Sequence, residues 1–409
     1  MATAPGREQY QRWLSGKVKT RPHPDHCRVL ERMFPGHTVT QLLAPPGCRS
    51  DDQPASQDRT DPVHDEEKDT NRRELLFLGG AAMVGPVADL VWREPGRMLT
   101  ALDSTSVGHG RLAELFQEAT QLGVQVIKVP PGTLAAEAMM GFREVRELIG
   151  DKQTLSSHRE LVRVAAMFGT VVGEILFNEG QFALAQRWYN VARRAALEVG
   201  DQYLADIALS GSTYLPTYSA DPRGVLALVA PRLDQNPAAS PAIAWLWAFR
   251  AKAHAQLNEQ HAFETCIERS RRALDGSPDE LVRPGIFSFL PEKLAFYEAR
   301  GRVELGDITE AIAAAQRASD LYDFTETTEP ALVRFEQASA LVQAGEIPEA
   351  CRVATTAIMD QRTYHGISIH TRAKEFDQLL GTSSQEAAKD WREVLATLRP
   401  PQLALTETR

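Results

Sequence analysis

The chain has 409 residues, of which 43% are hydrophobic and 24% are charged, a composition that excludes wholesale disorder. Its longest apolar run, Leu75–Pro86, is far shorter than the ~20 residues that cross a bilayer, so we expect no membrane association. Four cysteines without a CxxC pair argue against a disulfide scaffold and indicate a reducing compartment, which predicts a cytoplasmic protein.

The net charge of −9 is unevenly distributed along the chain. Residues 1–50 carry +5, residues 51–70 carry −6 and the remaining residues carry −8. Only the basic first segment has the sign that a phosphate backbone attracts. The charge pattern therefore predicts separate roles for a basic head, an acidic tether and a mildly acidic body.

The head, residues 1–47, has the pattern of three short helices. Tyr10, Trp13 and Leu14 share one face of the first helix, which ends at Ser15-Gly16. A basic turn follows, and a second helix then carries four apolar residues that we expect to face inward: Val29, Leu30, Met33 and Phe34. Thr38 is placed to cap a third helix that runs through Leu43.

Two segments connect the head to the rest of the body. Residues 48–71 contain no aromatic side chain and are rich in Asp, Glu, Ser, Gln and Pro, which predicts a flexible acidic linker. Residues 72–154 form a helical connecting region, in which apolar residues recur at spacings of three and four. Residues 401–409 are expected to be a disordered tail.

Residues 155–400 contain a repeated helix-turn-helix unit. Gly180–Ala185, Gly306–Ala311 and Gly345–Ala350 share a glycine that ends one helix and an alanine five residues later, and Asn258–Ala262 is a degenerate copy without the glycine. Glycine adopts the left-handed conformation at a helix C-terminus without steric cost, and the alanine lets two helices approach closely. Together with two further turns, the unit repeats about six times, with turns near residues 180, 221, 259, 306, 345 and 384. The predicted fold is an all-α solenoid of helical hairpins.

These repeats resemble the tetratricopeptide repeat (TPR) superfamily, although most copies lack its full aromatic signature and are a few residues longer. The head stretch QRWLSGKVKTRPHPDHCRVLERMFPGHTVTQLL resembles the second half of an XRE/Cro-type helix-turn-helix domain. More narrowly, the chain is similar to actinobacterial regulators that join such a domain through a linker to TPR-like repeats.

The resemblance implies a set of DNA contacts. Four residues would face the bases, namely Arg7, Gln9, Gln11 and Arg12, and three would meet phosphates, namely Lys17, Lys19 and Arg21. Regulators of this type have two more helices before the recognition helix, whereas only Met1–Pro5 precede it here. Either the protein starts further upstream or its DNA binding has been lost.

The repeat body offers a candidate groove for a ligand. The first helices of stacked hairpins usually line the concave side, where extended peptides bind. Aromatic residues follow these helices at helical spacing, a pattern that is also typical of packing between helices. We therefore select only polar residues as groove candidates: Asp206, Arg250, His254 and Arg300.

Other chemistry finds little support in the sequence. His23, His26 and Cys27 lack the second ligand pair of a zinc site, and Arg72-Arg73 imitates an export signal but lies too far from the N-terminus. No phosphate-binding, nucleotide-binding or hydrolase motif occurs. The sequence predicts no enzyme, cofactor or metal site.

The function that these patterns favour is cytoplasmic transcriptional regulation. A repeat domain would bind a peptide, a small signal or a partner protein and control a DNA-binding head, possibly one that is truncated, within a possible homodimer. The alternative is a protein–protein interaction scaffold that does not bind DNA.

Overall fold

The computed structural model describes residues 108–399, except 152, 323–324, 327 and 361–362. The predicted head, linker and C-terminal tail lie outside the described residues. Within the described part every regular element is a helix, so the all-α prediction is confirmed. Fourteen α-helices follow in order: α1 His109–Gln125, α2 Ala135–Gly150, α3 Leu155–Asn178, α4 Phe182–Glu198, α5 Gln202–Tyr218, α6 Pro222–Leu233, α7 Pro241–Gln256, α8 Gln260–Asp275, α9 Pro291–Leu305, α10 Ile308–Leu321, α11 Glu329–Gln343, α12 Ile347–Met359, α13 Ile367–Leu380 and α14 Glu386–Thr397.

The helices from α3 to α14 form six consecutive pairs. Each odd-numbered helix packs against the even-numbered helix that follows it, and the odd-numbered helices also stack on one another from α3 to α13. We call the odd-numbered members of these pairs the first helices and the even-numbered members the second helices. This arrangement is the predicted solenoid of helical hairpins, while α1 and α2 pack against its first pair. Within the described range, no helix combines the length and the apolar character needed to cross a bilayer.

Side-chain caps explain where several of these helices begin. Thr154, Asp201, Asp221 and Ser240 each accept a hydrogen bond from a backbone N–H in the first turn of α3, α5, α6 and α7, respectively. Such a cap satisfies one of the N–H groups that have no partner inside the helix.

A residue with a positive φ angle follows the first helix in every pair. Gly180, Gly306 and Gly345 have φ angles of 74°, 74° and 84°, as the glycine pattern predicted. In the other three turns the residue with a positive φ angle is Ala220, Asn258 or Gly381, none of which belongs to the predicted glycine motif. The alanines five residues after the three predicted glycines are fully buried: Ala185, Ala311 and Ala350.

The last helix pair and the segment before it contact the first helix pair. The Tyr364 hydroxyl donates a hydrogen bond to Glu179, at the end of α3. A Cβ on Gly366 would lie 3.2 Å from the Asn178 carbonyl oxygen, and Ile367 lies against Gly180. We call this set the closing contact. It brings residues 185 positions apart together and places α13 opposite α3.

Candidate ligand site

A cavity of about 70 Å³ opens where the first helices face one another. Each of the six first helices contributes at least one side chain to its wall, and the remaining lining residues follow α1 and α10 or precede α11. We call it the inner cavity; its lining residues are Val126, Ile127, Glu174, Phe177, Asn178, Tyr214, Tyr218, Trp245, Lys293, Phe296, Tyr297, Tyr322, Thr328, Glu329, Leu332 and Ser368.

Aromatic rings form much of this wall. Tyr214 stacks on Phe177 with ring centroids 4.6 Å apart and meets Trp245 edge-on at 5.9 Å. The Trp245 indole nitrogen donates a hydrogen bond of 3.3 Å to the Tyr297 hydroxyl. Because the rings contact one another across α3, α5, α7 and α9, the wall is a continuous packed surface.

Glu174, Glu329 and Lys293 line the inner cavity, and Glu326 lies next to Glu329 and Lys293 behind this lining. We call these four residues the acidic cluster. Lys293 Nζ lies 4.0 Å from Glu329 Oε1 and 5.3 Å from the centroid of the Trp245 ring. Glu174 accepts hydrogen bonds from the Tyr189 hydroxyl at 2.9 Å and from the Asn178 amide at 3.1 Å. The Oε2 atoms of Glu326 and Glu329 have no hydrogen-bond partner, and neither does the hydroxyl of nearby Tyr322.

Burial makes two carboxylates of the cluster, Glu174 and Glu326, hard to ionise. Loss of hydration raises the pKa of Glu174 to about 7, against the lowering effect of its hydrogen bond from Tyr189. Burial, together with the neighbouring Glu329, raises the pKa of Glu326 to about 8. The pKa of Glu292 is also raised by burial. Glu174 and Glu326 therefore hold protons near neutral pH.

A second charged group, the arginine cluster, lies further along α9, α11 and α13. Glu336, which is 0% exposed, accepts hydrogen bonds from Arg300 at 3.4 Å and from Arg372 at 2.6 Å. Both arginines also bind Glu375. Burial opposes ionisation of Glu375, but the arginines outweigh it and lower its pKa to about 2. Lys252 faces the same group, and we include it in the arginine cluster.

The structure does not bring the four predicted groove residues together. Asp206 is buried in a two-point ion pair with Arg232, which ties α5 to α6 at 2.7 and 2.8 Å. Arg250 pairs with Asp234, and His254 lies 2.6 Å from Glu259 in the α7–α8 turn. Arg300 alone among them lies in the arginine cluster. The seven predicted DNA-binding residues lie outside the described residues.

Sequence reasoning missed the acidic cluster and Lys252. A usable signal was present for Glu174, which is a charged residue inside an otherwise apolar stretch of α3, whereas Lys252 lies between Arg250 and His254 and does not stand out in the sequence. Charged residues in such positions are rarely buried without a purpose or a partner. In the described part of the chain, no group of three or more His, Cys, Asp or Glu side chains is arranged to hold a metal ion.

Comparison with known proteins adds no relative to this description. No family model, no curated protein and no solved structure matches the chain.

Proposed function

We propose that the chain is a non-enzymatic transcriptional regulator of the cytoplasm, in which the helical-hairpin solenoid senses a ligand and controls a DNA-binding head. The observation that carries this proposal is the inner cavity, to which all six first helices contribute. A ligand held there would contact every repeat, so its binding would favour one arrangement of the solenoid over another.

The chemistry of the wall supports binding rather than catalysis. Its aromatic rings and a few polar groups are the usual composition of a small-molecule site. Buried oxygen atoms without partners, on Glu326 and Glu329, are costly in the empty protein and favourable once a ligand donates hydrogen bonds to them. The link to DNA is supported by the resemblance of the basic head to the XRE/Cro-type motif and of the repeats to TPR proteins.

A band-shift assay tests the DNA-binding half of the proposal. The full chain is mixed with a pool of randomised duplexes at low salt, and we expect a retarded band that weakens as salt rises. Lys19→Ala should weaken binding across all sequences and reduce the salt slope by about 1, because one phosphate contact is lost. Lys389→Ala, on the exposed face of α14, is the matched control and should bind as the parent does.

The competing function is a protein interaction scaffold without DNA binding. It predicts that no duplex is retarded at any salt concentration and that Lys19→Ala changes nothing. That outcome would exclude the regulator function and favour the scaffold function.

A further inference from the structure

The acidic cluster contains more carboxylates than cations. Glu174 accepts hydrogen bonds from two neutral donors, Tyr189 and Asn178. The one lysine of the cluster, Lys293, forms an ion pair with Glu329. Glu326 is 8% exposed, and its Oε2 atom has no hydrogen-bond partner. Two neighbouring residues, Glu326 and Glu329, therefore each have a carboxylate oxygen that could accept a hydrogen bond from a ligand.

Lys293 shows what kind of donor fits this place. Its ammonium group lies between Glu329 Oε1 and the ring of Trp245, so a carboxylate and an aromatic ring together already hold one primary ammonium. Tyr214 and Tyr297 extend the same aromatic wall around the inner cavity.

The size of the inner cavity restricts the group that enters. Its volume of about 70 Å³ is roughly half that of a ~150 Å³ cavity that takes up benzene. An ammonium with a few carbon atoms fits such a space, and a longer molecule would extend out of the opening.

We propose that the inner cavity binds the head group of a primary amine, an alkylammonium that donates hydrogen bonds to Glu329, is attracted by neighbouring Glu326 and packs its carbon chain on the aromatic wall. A primary ammonium has three N–H donors for these oxygens, whereas a quaternary ammonium has none. The inference rests on the proposed ligand-sensing function, and it names the ligand class.

Binding of this group is linked to pH. Charged and titratable groups surround the site on every element that packs there. They are Glu174 from α3, Tyr189 from α4, Tyr214 and Tyr218 from α5, Glu292, Lys293 and Tyr297 from α9, Glu329 from α11, Tyr322 and Glu326 after α10, and Lys128 after α1. Glu174 and Glu326, with pKa values of about 7 and 8, are largely protonated at pH 6 and ionise when a cation arrives. An alkylammonium stays charged below pH ~10, so its affinity rises between pH 6 and pH 9 and its binding releases protons.

Calorimetry of the full chain with n-butylammonium tests the proposal. We expect binding that is about tenfold weaker at pH 6 than at pH 8.5, with proton release revealed by different heats in phosphate and Tris buffers. Butyltrimethylammonium and 1-pentanol should bind at least tenfold more weakly, because they lack either the N–H donors or the charge.

Three variants locate the site. Glu329→Gln should weaken butylammonium binding about tenfold, since it removes a charge-assisted hydrogen bond. Lys293→Met should strengthen binding several-fold, because the competing internal ammonium is gone. Glu137→Gln, on the exposed face of α2, is the matched control and should leave binding unchanged.

Both site variants replace a charged group, on partly buried Glu329 or on buried Lys293, and their melting temperatures report whether each has folded. Equal binding of the amine and 1-pentanol, or weaker binding by Lys293→Met, would overturn the inference. Because the assay contains no DNA, amine binding without any band shift would contradict only the regulator function, and a band shift without amine binding would contradict only the ligand class.

Discussion

Lys252 carries a positive charge into the packed interior of the solenoid. Its side chain is 2% exposed and its ammonium nitrogen has no hydrogen-bond partner. Burial and, to a smaller extent, the nearby Arg300 and Arg372 lower its pKa to about 7, although Glu304 and Glu375 act in the opposite direction. A buried cation without a hydrogen-bonded partner costs stability, so we expect Lys252 to lower the free energy of unfolding.

Replacement of this lysine tests that cost. We expect Lys252→Met to raise the free energy of unfolding at pH 7 by about 1–4 kcal/mol, because an apolar side chain of similar length needs no hydration. The measurement is urea unfolding followed by circular dichroism. Lys389→Met, at an exposed position, is the control and should change stability by less than about 0.5 kcal/mol.

The advantage of Lys252→Met should also depend on pH. The pKa of Lys252 is about 7 in the folded protein and 10.5 as the ordinary value, so between these values the unfolded chain binds more protons. The contribution of Lys252 to stability therefore improves as pH rises through this window, and the difference between parent and variant narrows. If the variant is less stable than the parent at pH 7, the attraction of Glu304 and Glu375 for the ammonium must exceed the cost of removing it from water.

At the scale of the helical hairpin, the turn between the two helices decides whether they pair. Five of the six turn residues with a positive φ angle are glycine or asparagine, which adopt such angles readily, but the α5–α6 turn has Ala220 at φ 52°. The glycine motif identified three of these turns from the sequence. It could not identify the alanine turn, where Asp221-Pro222 carried the signal instead.

The strain at Ala220 gives a second prediction. Ala220→Gly should stabilise the protein by about 0.5–1 kcal/mol, because glycine relieves the left-handed strain and this gain exceeds its extra unfolded-state entropy. Ala227→Gly, in the middle of α6 and also exposed, should instead destabilise by about 1 kcal/mol. Thermal unfolding of both variants gives the comparison, and a loss of stability in both would contradict strain at Ala220.

For the described body as a whole, the closing contact joins the first and last helix pairs. The Tyr364 hydroxyl and Glu179 form a partly buried hydrogen bond, and burial raises the pKa of Glu179. Tyr364→Phe removes the side-chain donor of this carboxylate and leaves it the backbone hydrogen bond from Gly132, at a cost of about 1–3 kcal/mol to the contact. We expect faster hydrogen exchange in the first turn of α13 and in the last turn of α3.

A matched variant separates this effect from general loosening. The Tyr203 hydroxyl donates to the Phe287 carbonyl oxygen at 2.5 Å, far from α13 along the chain. Tyr203→Phe should therefore accelerate exchange near Phe287 and leave α13 unchanged. Equal acceleration of α13 in both variants would show that the closing contact is not an independent link.

The sequence by itself determined the helices, their pairing and most of their turns, because those features depend on neighbours within about forty residues. Gly180, Gly306 and Gly345 end helices wherever their surroundings are helical, and the buried alanines that follow them need only one partner helix. The sequence could not decide which face of a first helix points inward. Residues 241–249 of α7 are all buried, so no polar stripe marks that face.

Only the tertiary structure decided the candidate site. Asp206 has the chemistry of a groove residue, yet the position of α6 turns it into the partner of Arg232. Glu174, Lys293 and Glu329 come from α3, α9 and α11, and they meet because the helix pairs stack and the last pair returns to the first. Spacing along the chain does not predict this contact, because the contact depends on the summed rotation between five successive helix pairs.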